Sequence, residues 1–463
     1  MTDICMMGAR ELVARYRTRE LSPVEATQAA LDRIEALDGT YNAFCVVDAE
    51  RALADARAAE ARWAKGEPLG LIDGVPATVK DLILAKGWPT LRGSRAIEAD
   101  QAWDEDGPPV ARLRAHGAVL LGKTCTPEFG WKGVTDSPLT GVTRNPWNPE
   151  LTPGGSSGGA AAACALGMGA IHIATDGGGS IRIPAGFCGL FGHKPTFGIV
   201  PVHPHSPAGT LWHQGPISRS VADAALVLTV IAEPDARDWY ALPPRALDYR
   251  QGLDDGIRGL RIAYSPTLGY AKVDAEVAEA VARAAQGFTD LGAEVTEVAQ
   301  VFDDPLTPMI ELWSVALALG IDGMSDEKRA LMDPPILEIA ARGEALGAVA
   351  YRKAERAREA LGRRMARFHQ DYDLLVTPQL PLTAFEAGHE VPPGRGMTRW
   401  WEWSPFTYPF NLTQQPAATL PCGLAGGLPV AMQVVGAKFD DATVLRACRA
   451  FEAAFPFPLP PQP

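Results

Sequence analysis

The chain has 463 residues, of which 47% are hydrophobic and 21% are charged, and its formal net charge is −12. This is the composition of an ordinary globular protein that is long enough to bury a large core. The negative charge argues against a nucleic-acid partner, because such partners select for clustered lysine and arginine. The sequence shows no signal-peptide pattern after Met1 and no apolar segment that suits a membrane span.

The seven cysteines lie at irregular spacings, their number is odd, and no Cys-x-x-Cys occurs. Disulfide frameworks usually show paired, regular spacings in a secreted context. The pattern therefore predicts reduced thiols and a cytoplasmic location.

The predicted elements begin with helices over residues 8–65, where Ser22-Pro23-Val24-Glu25 has the pattern of a capping box. Short apolar strands follow over 75–79 and 118–121, separated by glycine and proline turns. Further along, the patterns predict these elements in order: a strand over 259–265, a helix over 274–291, a strand over 293–298, helices over 324–369, strands over 372–378 and 428–435, and a helix over 442–451. Strands that alternate with helices predict an α/β layered fold.

No linker is long enough to divide the chain, so we predict a single large domain over residues 1–463. In this interpretation the N-terminal helices (8–65) precede a core formed by about 66–235 and 371–452. The charged helical stretch over about 270–370 is predicted to be a peripheral insertion.

Two serines lie 24 positions apart, each in a glycine-rich turn. The first turn is Gly154-Gly155-Ser156-Ser157-Gly158-Gly159, and the second is Asp176-Gly177-Gly178-Gly179-Ser180. Between them lie an alanine-rich segment and a short apolar run, which predict an ordered helix and strand rather than a linker. Glycine turns expose backbone N–H groups, so a serine in such a turn can lie beside an oxyanion hole.

Two other patterns suggest different chemistry but lack its context. Gly117 to Thr124 fits the P-loop spacing, yet its middle positions form an apolar strand and Pro127 follows closely. His203, His205 and His213 lie in one region, but no carboxylate or cysteine completes a familiar metal-ligand spacing. We therefore predict neither a nucleotide site nor a metal site.

The two serine turns resemble the Ser–Ser–Lys machinery of the amidase signature family, when they are taken together with Lys80 in the segment 74–81. The resemblance extends over about residues 8–450 and is most specific from Lys80 to Thr196. It implies one α/β/α domain with a mixed central sheet covered by helices on both faces. It also implies an amide hydrolase that needs no cofactor and no metal.

The resemblance further implies a role for each residue of the two turns. Ser180 is the expected nucleophile, Ser156 the proton relay after a cis peptide, and Lys80 the neutral base. The backbone N–H groups of the expected oxyanion hole belong to Gly177, Gly178, Gly179 and Ser180. The expected supporting residues are Ser157, which would orient Lys80, and the buried pair Asp176 and Arg182.

The substrate is less clearly indicated. Trp400, Trp401 and Trp403, with Gly130 and Trp131 opposite, predict either an aromatic pocket wall or packing in the core or a dimer interface. The first alternative favours a free-standing hydrolase of hydrophobic or aryl amides. Two others remain open: a carbamate or ester hydrolase, and an amidotransferase component of the A type that acts in a complex.

Overall fold

The computed structural model describes residues 3–242 and 247–461. Its helices are α1 (Ala9–Thr18), α2 (Pro23–Tyr41), α3 (Ala49–Lys65), α4 (Pro108–Ala115), α5 (Gly158–Ala165), α6 (Arg182–Phe187), α7 (Val221–Ile231), α8 (Ala275–Asp290), α9 (Leu306–Gly320), α10 (Asp326–Arg329), α11 (Pro334–Glu344), α12 (Ala348–Asp371), α13 (Pro409–Leu412) and α14 (Asp441–Ala454). Its strands are β1 (Phe44–Val47), β2 (Pro76–Lys80), β3 (Val119–Thr124), β4 (Asp136–Ser137), β5 (Gly141–Val142), β6 (Ile171–Asp176), β7 (Phe191–Lys194), β8 (His213–Ser218), β9 (Arg261–Tyr264), β10 (Glu294–Glu297), β11 (Leu374–Pro378), β12 (Ala417–Ala425) and β13 (Leu428–Gly436).

Eleven strands of the described residues form one mixed sheet in the order β1-β3-β2-β6-β8-β7-β12-β13-β11-β9-β10. Parallel pairs occur towards both ends of this order, in β3-β2-β6 and in β11-β9-β10, while the edge strand β1 pairs antiparallel with β3. The strands between them pair antiparallel. The predicted α/β class with a mixed central sheet is therefore confirmed.

Hydrophobic clusters cover the sheet on both faces. Along β11, Leu374 and Val376 belong to one buried cluster and the intervening Leu375 belongs to another. Successive strand residues point to opposite faces, so the two clusters lie on opposite sides of the sheet. Helices α7, α8 and α14 contribute to the first cluster, and α9 and α11 contribute to the second.

The elements differ from the predictions where strands are short or interrupted. The region 8–65 contains the four-residue strand β1 between α2 and α3, because Phe44 pairs with Thr124 of β3. Strands β7, β8 and β12 were not predicted, since glycine, proline and histidine residues break their apolar pattern. The segment 270–370 is not wholly peripheral: α8 packs on the sheet and β10 forms its edge.

The P-loop-like segment is a strand, as predicted. Lys123 lies within β3, and no helix begins there. Its Nζ lies 2.8 Å from Asp81 Oδ1 and donates to Thr90 Oγ1 at 2.6 Å. Lys123 is therefore bound to buried partners within the protein, and the segment is not a loop that could surround a phosphate.

The sheet brings the two glycine-rich turns to one edge. Strands β2 and β6 are parallel neighbours, so their carboxyl ends, at Lys80 and Asp176, lie side by side. The first turn leads into α5, whose residues are all buried, and the second turn leads into α6. None of the helices within the described ranges has the length and hydropathy to cross a membrane.

Candidate active site

Lys80 is fully buried at the end of β2 and is surrounded by hydroxyl groups. Its Nζ lies 2.6 Å from Ser156 Oγ, 2.8 Å from Ser157 Oγ and 2.9 Å from Thr175 Oγ1. A neutral amine has two N–H donors and one lone pair. Two of the three surrounding hydroxyl oxygens can therefore accept a hydrogen bond from the amine, and the third hydroxyl can donate one to the nitrogen lone pair.

No carboxylate forms an ion pair with Lys80 among the described residues. Burial lowers the pKa of Lys80 well below its ordinary value, and the more distant charge of Asp176 only partly opposes this. Burying an ammonium group without a paired anion costs on the order of several kcal/mol. The environment therefore favours the neutral amine, which can accept a proton.

The first turn places both of its serines against this lysine. The peptide bond between Gly155 and Ser156 is cis, as the family resemblance implies. Ser157 Oγ, besides its contact with Lys80, donates to the carbonyl of Thr175 at 3.2 Å. The Ser157 N–H donates to the carbonyl of Ser180 at 3.3 Å, and this contact links the two turns.

Asp176 and Arg182 form a fully buried ion pair that holds the second turn. The guanidinium donates to both carboxylate oxygens, with distances of 2.9 Å and 3.0 Å. Asn411 donates to Asp176 and accepts from Arg182, so the pair is enclosed by further polar contacts. Burial alone would raise the pKa of Asp176, but the charge and hydrogen bonds of Arg182 outweigh it and lower the pKa below its ordinary value.

The backbone N–H groups of the second turn are not equivalent. The Gly179 N–H donates to Asp176 Oδ1 at 2.8 Å, so it is already occupied. The N–H groups of Gly177, Gly178 and Ser180 have no acceptor within the described chain. The predicted set of four oxyanion-hole donors is thus reduced to three. Gly179 serves the turn differently: its φ is +133°, and a Cβ there would lie 2.6 Å from Thr407 Oγ1.

The predicted aromatic wall is placed largely in the core. Trp403 is fully buried, stacks on Phe187 with ring centroids 5.9 Å apart, and contacts Phe385 edge to face. Trp131 is also fully buried, and its indole N–H donates to Asp333. For these two residues the structure therefore favours the core-packing alternative.

Trp400 and Trp401 form a buried edge-to-face pair next to the second turn. Their ring centroids lie 5.7 Å apart, and Trp400 also contacts the Trp313 ring at 5.8 Å. A Cβ on Gly178 would lie 2.7 Å from the Trp400 ring. Trp400 therefore packs against the second turn, and neither Trp400 nor Trp401 lines the cavity beside Trp313.

A different set of side chains lines the cavity at the two turns. The cavity has a volume of about 830 Å³ including its open mouth, and its apolar lining includes Leu82, Phe129, Trp212, Trp313 and Leu317. A Cβ on Gly177 would lie 2.9 Å from the Trp313 ring and 3.5 Å from the Trp212 ring. A Cβ on Gly130 would lie 3.0 Å from Ser156 Oγ and 2.7 Å from Leu82. The wall residues Trp212 and Trp313 therefore adjoin the second turn, and Gly130 lies between Leu82 of the wall and Ser156 of the first turn.

His203, His205 and His213, for which we predicted no metal site, contact separate partners. His203 pairs with Glu105 at 3.4 Å, and His205 pairs with Asp238 at 3.1 Å. His213 is buried in β8 with its Nδ1 against a backbone carbonyl, and burial lowers its pKa well below the ordinary value. No group of three or more His, Cys, Asp or Glu that could hold a metal ion occurs in the described ranges.

Several residues at the site were missed by sequence reasoning. Thr175 could have been found from the sequence, because it precedes Asp176 on a strand that runs alongside β2. Trp212 and Trp313 could not have been found in this way, because their own segments show no motif and they reach the cavity only through the tertiary fold. Gln214, opposite Thr175 on β8, is buried with its Oε1 unpartnered within the described chain, and it also lines the cavity.

Comparison with known proteins agrees with this geometry. The model of the amidase family matches residues 25–445. This chain belongs to the amidase family. It is 36% identical to an acylamidase of Rhodococcus erythropolis over 97% of this chain and 96% of that protein. It is also 37% identical to the A component of the glutamyl-tRNA(Gln) amidotransferase of Anaeromyxobacter sp. (strain K), over 100% of this chain and 99% of the relative.

The fold is shared with solved family members. The crystal structure of a bacterial aryl acylamidase of the amidase signature family superposes with a TM-score of 0.91 and 31% identity. The match covers 97% of this chain and 96% of the other. Its family membership and its similarity to two acylamidases identify the chain as an amide-hydrolysing enzyme.

Trp403→Ala should lower the free energy of unfolding by about 3–5 kcal/mol, the usual cost of truncating a buried aromatic side chain. The measurement is urea unfolding followed by far-UV circular dichroism. Trp239→Ala is the matched control, because Trp239 is 86% exposed and its removal should change stability little. Equal effects of the two substitutions would show that Trp403 does not pack in the core.

Proposed function

We propose that this enzyme hydrolyses amides with an apolar or aryl substituent through a covalent acyl-enzyme on Ser180, with Ser156 and Lys80 as its proton-transfer chain. The observation that carries the proposal is the 2.6 Å contact between the buried Lys80 Nζ and Ser156 Oγ, directly beside the second glycine turn. A buried neutral lysine can serve as a base at neutral pH, whereas an exposed one is protonated.

In the first half of the reaction, Ser180 Oγ attacks the amide carbonyl carbon. Its proton passes to Ser156 Oγ as the Ser156 proton passes to Lys80 Nζ. The carbonyl oxygen becomes negatively charged and accepts hydrogen bonds from the free N–H groups of the Gly177–Ser180 turn. These donors are held in place before the reaction by the Asp176–Arg182 pair, so they need no reorganisation.

In the second half, the C–N bond breaks and the leaving nitrogen takes a proton back from Lys80 through Ser156. This leaves Ser180 esterified by the acyl group. Water then attacks the ester carbonyl, losing its proton along the same path, and the acid departs as Ser180 recovers its proton. Every proton that leaves a reacting group therefore returns through the same chain of groups.

The cavity supports an apolar or aromatic substrate. Trp212 and Trp313 provide aromatic surface beside the second turn, and Phe129 and Leu317 extend the apolar lining of the same cavity. Burial of apolar surface contributes about 25 cal/mol per Å², so a phenyl-sized group gains more here than a methyl group does. The similarity to an acylamidase and to an aryl acylamidase points in the same direction.

The cavity also favours hydrolysis by the enzyme alone over the use of glutamine within an amidotransferase complex. Free glutamine carries an ammonium group, which needs an acidic acceptor when it is removed from water. Within the described residues, the cavity lining contains no aspartate and no glutamate. The direct test is turnover by the purified chain of aryl amides, glutamine, aryl carbamates and aryl esters. Aryl amides should be cleaved without a partner, and glutamine should not.

A fluorophosphonate should form its covalent adduct on Ser180, because this hydroxyl lies beside the three free N–H groups and is 8% exposed. Peptide mapping by mass spectrometry locates the adduct, with Ser180→Ala as the control. An adduct on Ser156 would reverse the assigned roles of the two serines.

Trp313→Ala should lower kcat/KM for a bulky aryl amide about 10-fold to 100-fold relative to a small amide such as propionamide, given the apolar area removed. The comparison is the bulky-to-small ratio of kcat/KM. Trp401→Ala is the matched control, since Trp401 is buried but lies outside the cavity lining. A ratio that changes in Trp401→Ala and not in Trp313→Ala would contradict the proposed aromatic wall.

A further inference from the structure

The cavity beside the serine turns has an uneven distribution of charge. Its lining contains one arginine, Arg92, together with His203 and His205, and no carboxylate within the described residues. Both histidines have acidic partners behind them, Glu105 and Asp238. The cavity therefore presents a positive group that its own wall does not neutralise.

Arg92 has no hydrogen bond or ion pair from its guanidinium to the described chain, although it is half-buried. Asp81 is the acidic group whose charge reaches it. That carboxylate already lies 2.8 Å from Lys123 Nζ and accepts from the Gly93 N–H at 3.2 Å. Arginine stays protonated in proteins, so its five N–H donors remain available for a ligand.

The other half-buried or buried arginines near the site are used differently. Arg182 is bound by Asp176, and Arg358 donates to Thr210 and to the Leu412 carbonyl. Their donors are consumed inside the protein, which is the usual state of a buried guanidinium. Within the described residues Arg92 lacks such partners, although it lines the cavity.

The backbone at Arg92 is also unusual. Its φ is +54°, and Phe129, which lines the same cavity, has a φ of +51°. The Phe129 N–H donates to the Arg92 carbonyl at 2.8 Å, so the two residues support each other. Left-handed φ values are unfavourable for side chains other than glycine, and such residues concentrate at ligand sites.

We propose that Arg92 binds a carboxylate on the substrate, so that the preferred substrate is an amide with an apolar or aryl body and an anionic group away from the scissile bond. The planar guanidinium matches a carboxylate in a two-point contact. The apolar wall of Trp212, Trp313 and Phe129 would hold the body of the same molecule. This inference rests on the proposed function and specifies its substrate class.

The test uses two matched pairs of amides with the purified enzyme. Para-acetamidobenzoate and para-acetamidotoluene differ by a carboxylate on the amine side, and glutaranilate and pentananilide differ by one on the acyl side. In at least one pair, Arg92→Met should lower the carboxylate-to-neutral ratio of kcat/KM about 10-fold to 100-fold, the usual range for a hydrogen bond to a charged group. Arg92→Lys should retain part of the preference, because it keeps the charge but not the fork.

Arg95→Met is the control, because Arg95 lies in the same loop, is exposed and is absent from the cavity lining, so it should leave both ratios unchanged. If Arg92→Met does not fold, Arg92→Gln, which also removes the charge, provides the same test. A ratio that stays within about 2-fold of the unaltered enzyme in both pairs, for folded Arg92→Met or Arg92→Gln enzyme, overturns the proposal.

Binding to Ser180→Ala separates this inference from the proposed function. Calorimetry should show tighter binding of the carboxylate member of a pair, and Arg92→Met in that background should abolish the difference. If the unaltered enzyme cleaves none of the four amides but this binding difference is found, the proposed function fails and the carboxylate site stands. If the neutral amides are cleaved and no binding difference is found, the carboxylate site fails and the proposed function stands.

Discussion

A buried lysine that lacks a carboxylate partner is the constraint on which the rest of this site depends. Lys80 is at the end of a central strand and is enclosed by three hydroxyl groups. A charged ammonium there would be poorly compensated, so the fold selects the neutral amine. The charge of Asp176 only partly favours the ammonium form, and its carboxylate is paired with Arg182. One ion pair therefore lies close to Lys80, while Lys80 itself stays unpaired.

The sequence was most informative where function depends on a few adjacent residues. The glycine-rich turns and their serines could be found because each motif is local, whereas Lys80 was singled out by the family resemblance together with the two turns. The structure brings Lys80, Ser156 and Ser157 into contact. The strand at the P-loop-like segment could also be predicted, because apolar residues fill its middle. The buried Asp176–Arg182 pair followed from its place in the second turn.

The cavity wall could not be predicted in this way, because burial alone does not say which side of a wall a tryptophan faces. Trp403 packs between Phe187 and Phe385, whereas Trp313 reaches the Gly177 turn from a helix far along the chain. The sequence also could not show that the Gly179 N–H donates to Asp176 and is therefore unavailable to a substrate. Strand β1 was hidden because a four-residue strand between two helices gains its stability from pairing with β3.

The protonation state of Lys80 tests this account most directly. Lysine side chains labelled with a nitrogen isotope can be followed by NMR, and the signal missing from Lys80→Met identifies the Nζ of interest. The account predicts an amine signal at neutral pH, which converts to an ammonium signal at lower pH than for an ordinary lysine, because burial lowers the pKa. An ammonium signal that persists into alkaline solution in the folded enzyme would contradict the central claim that Lys80 is the neutral base.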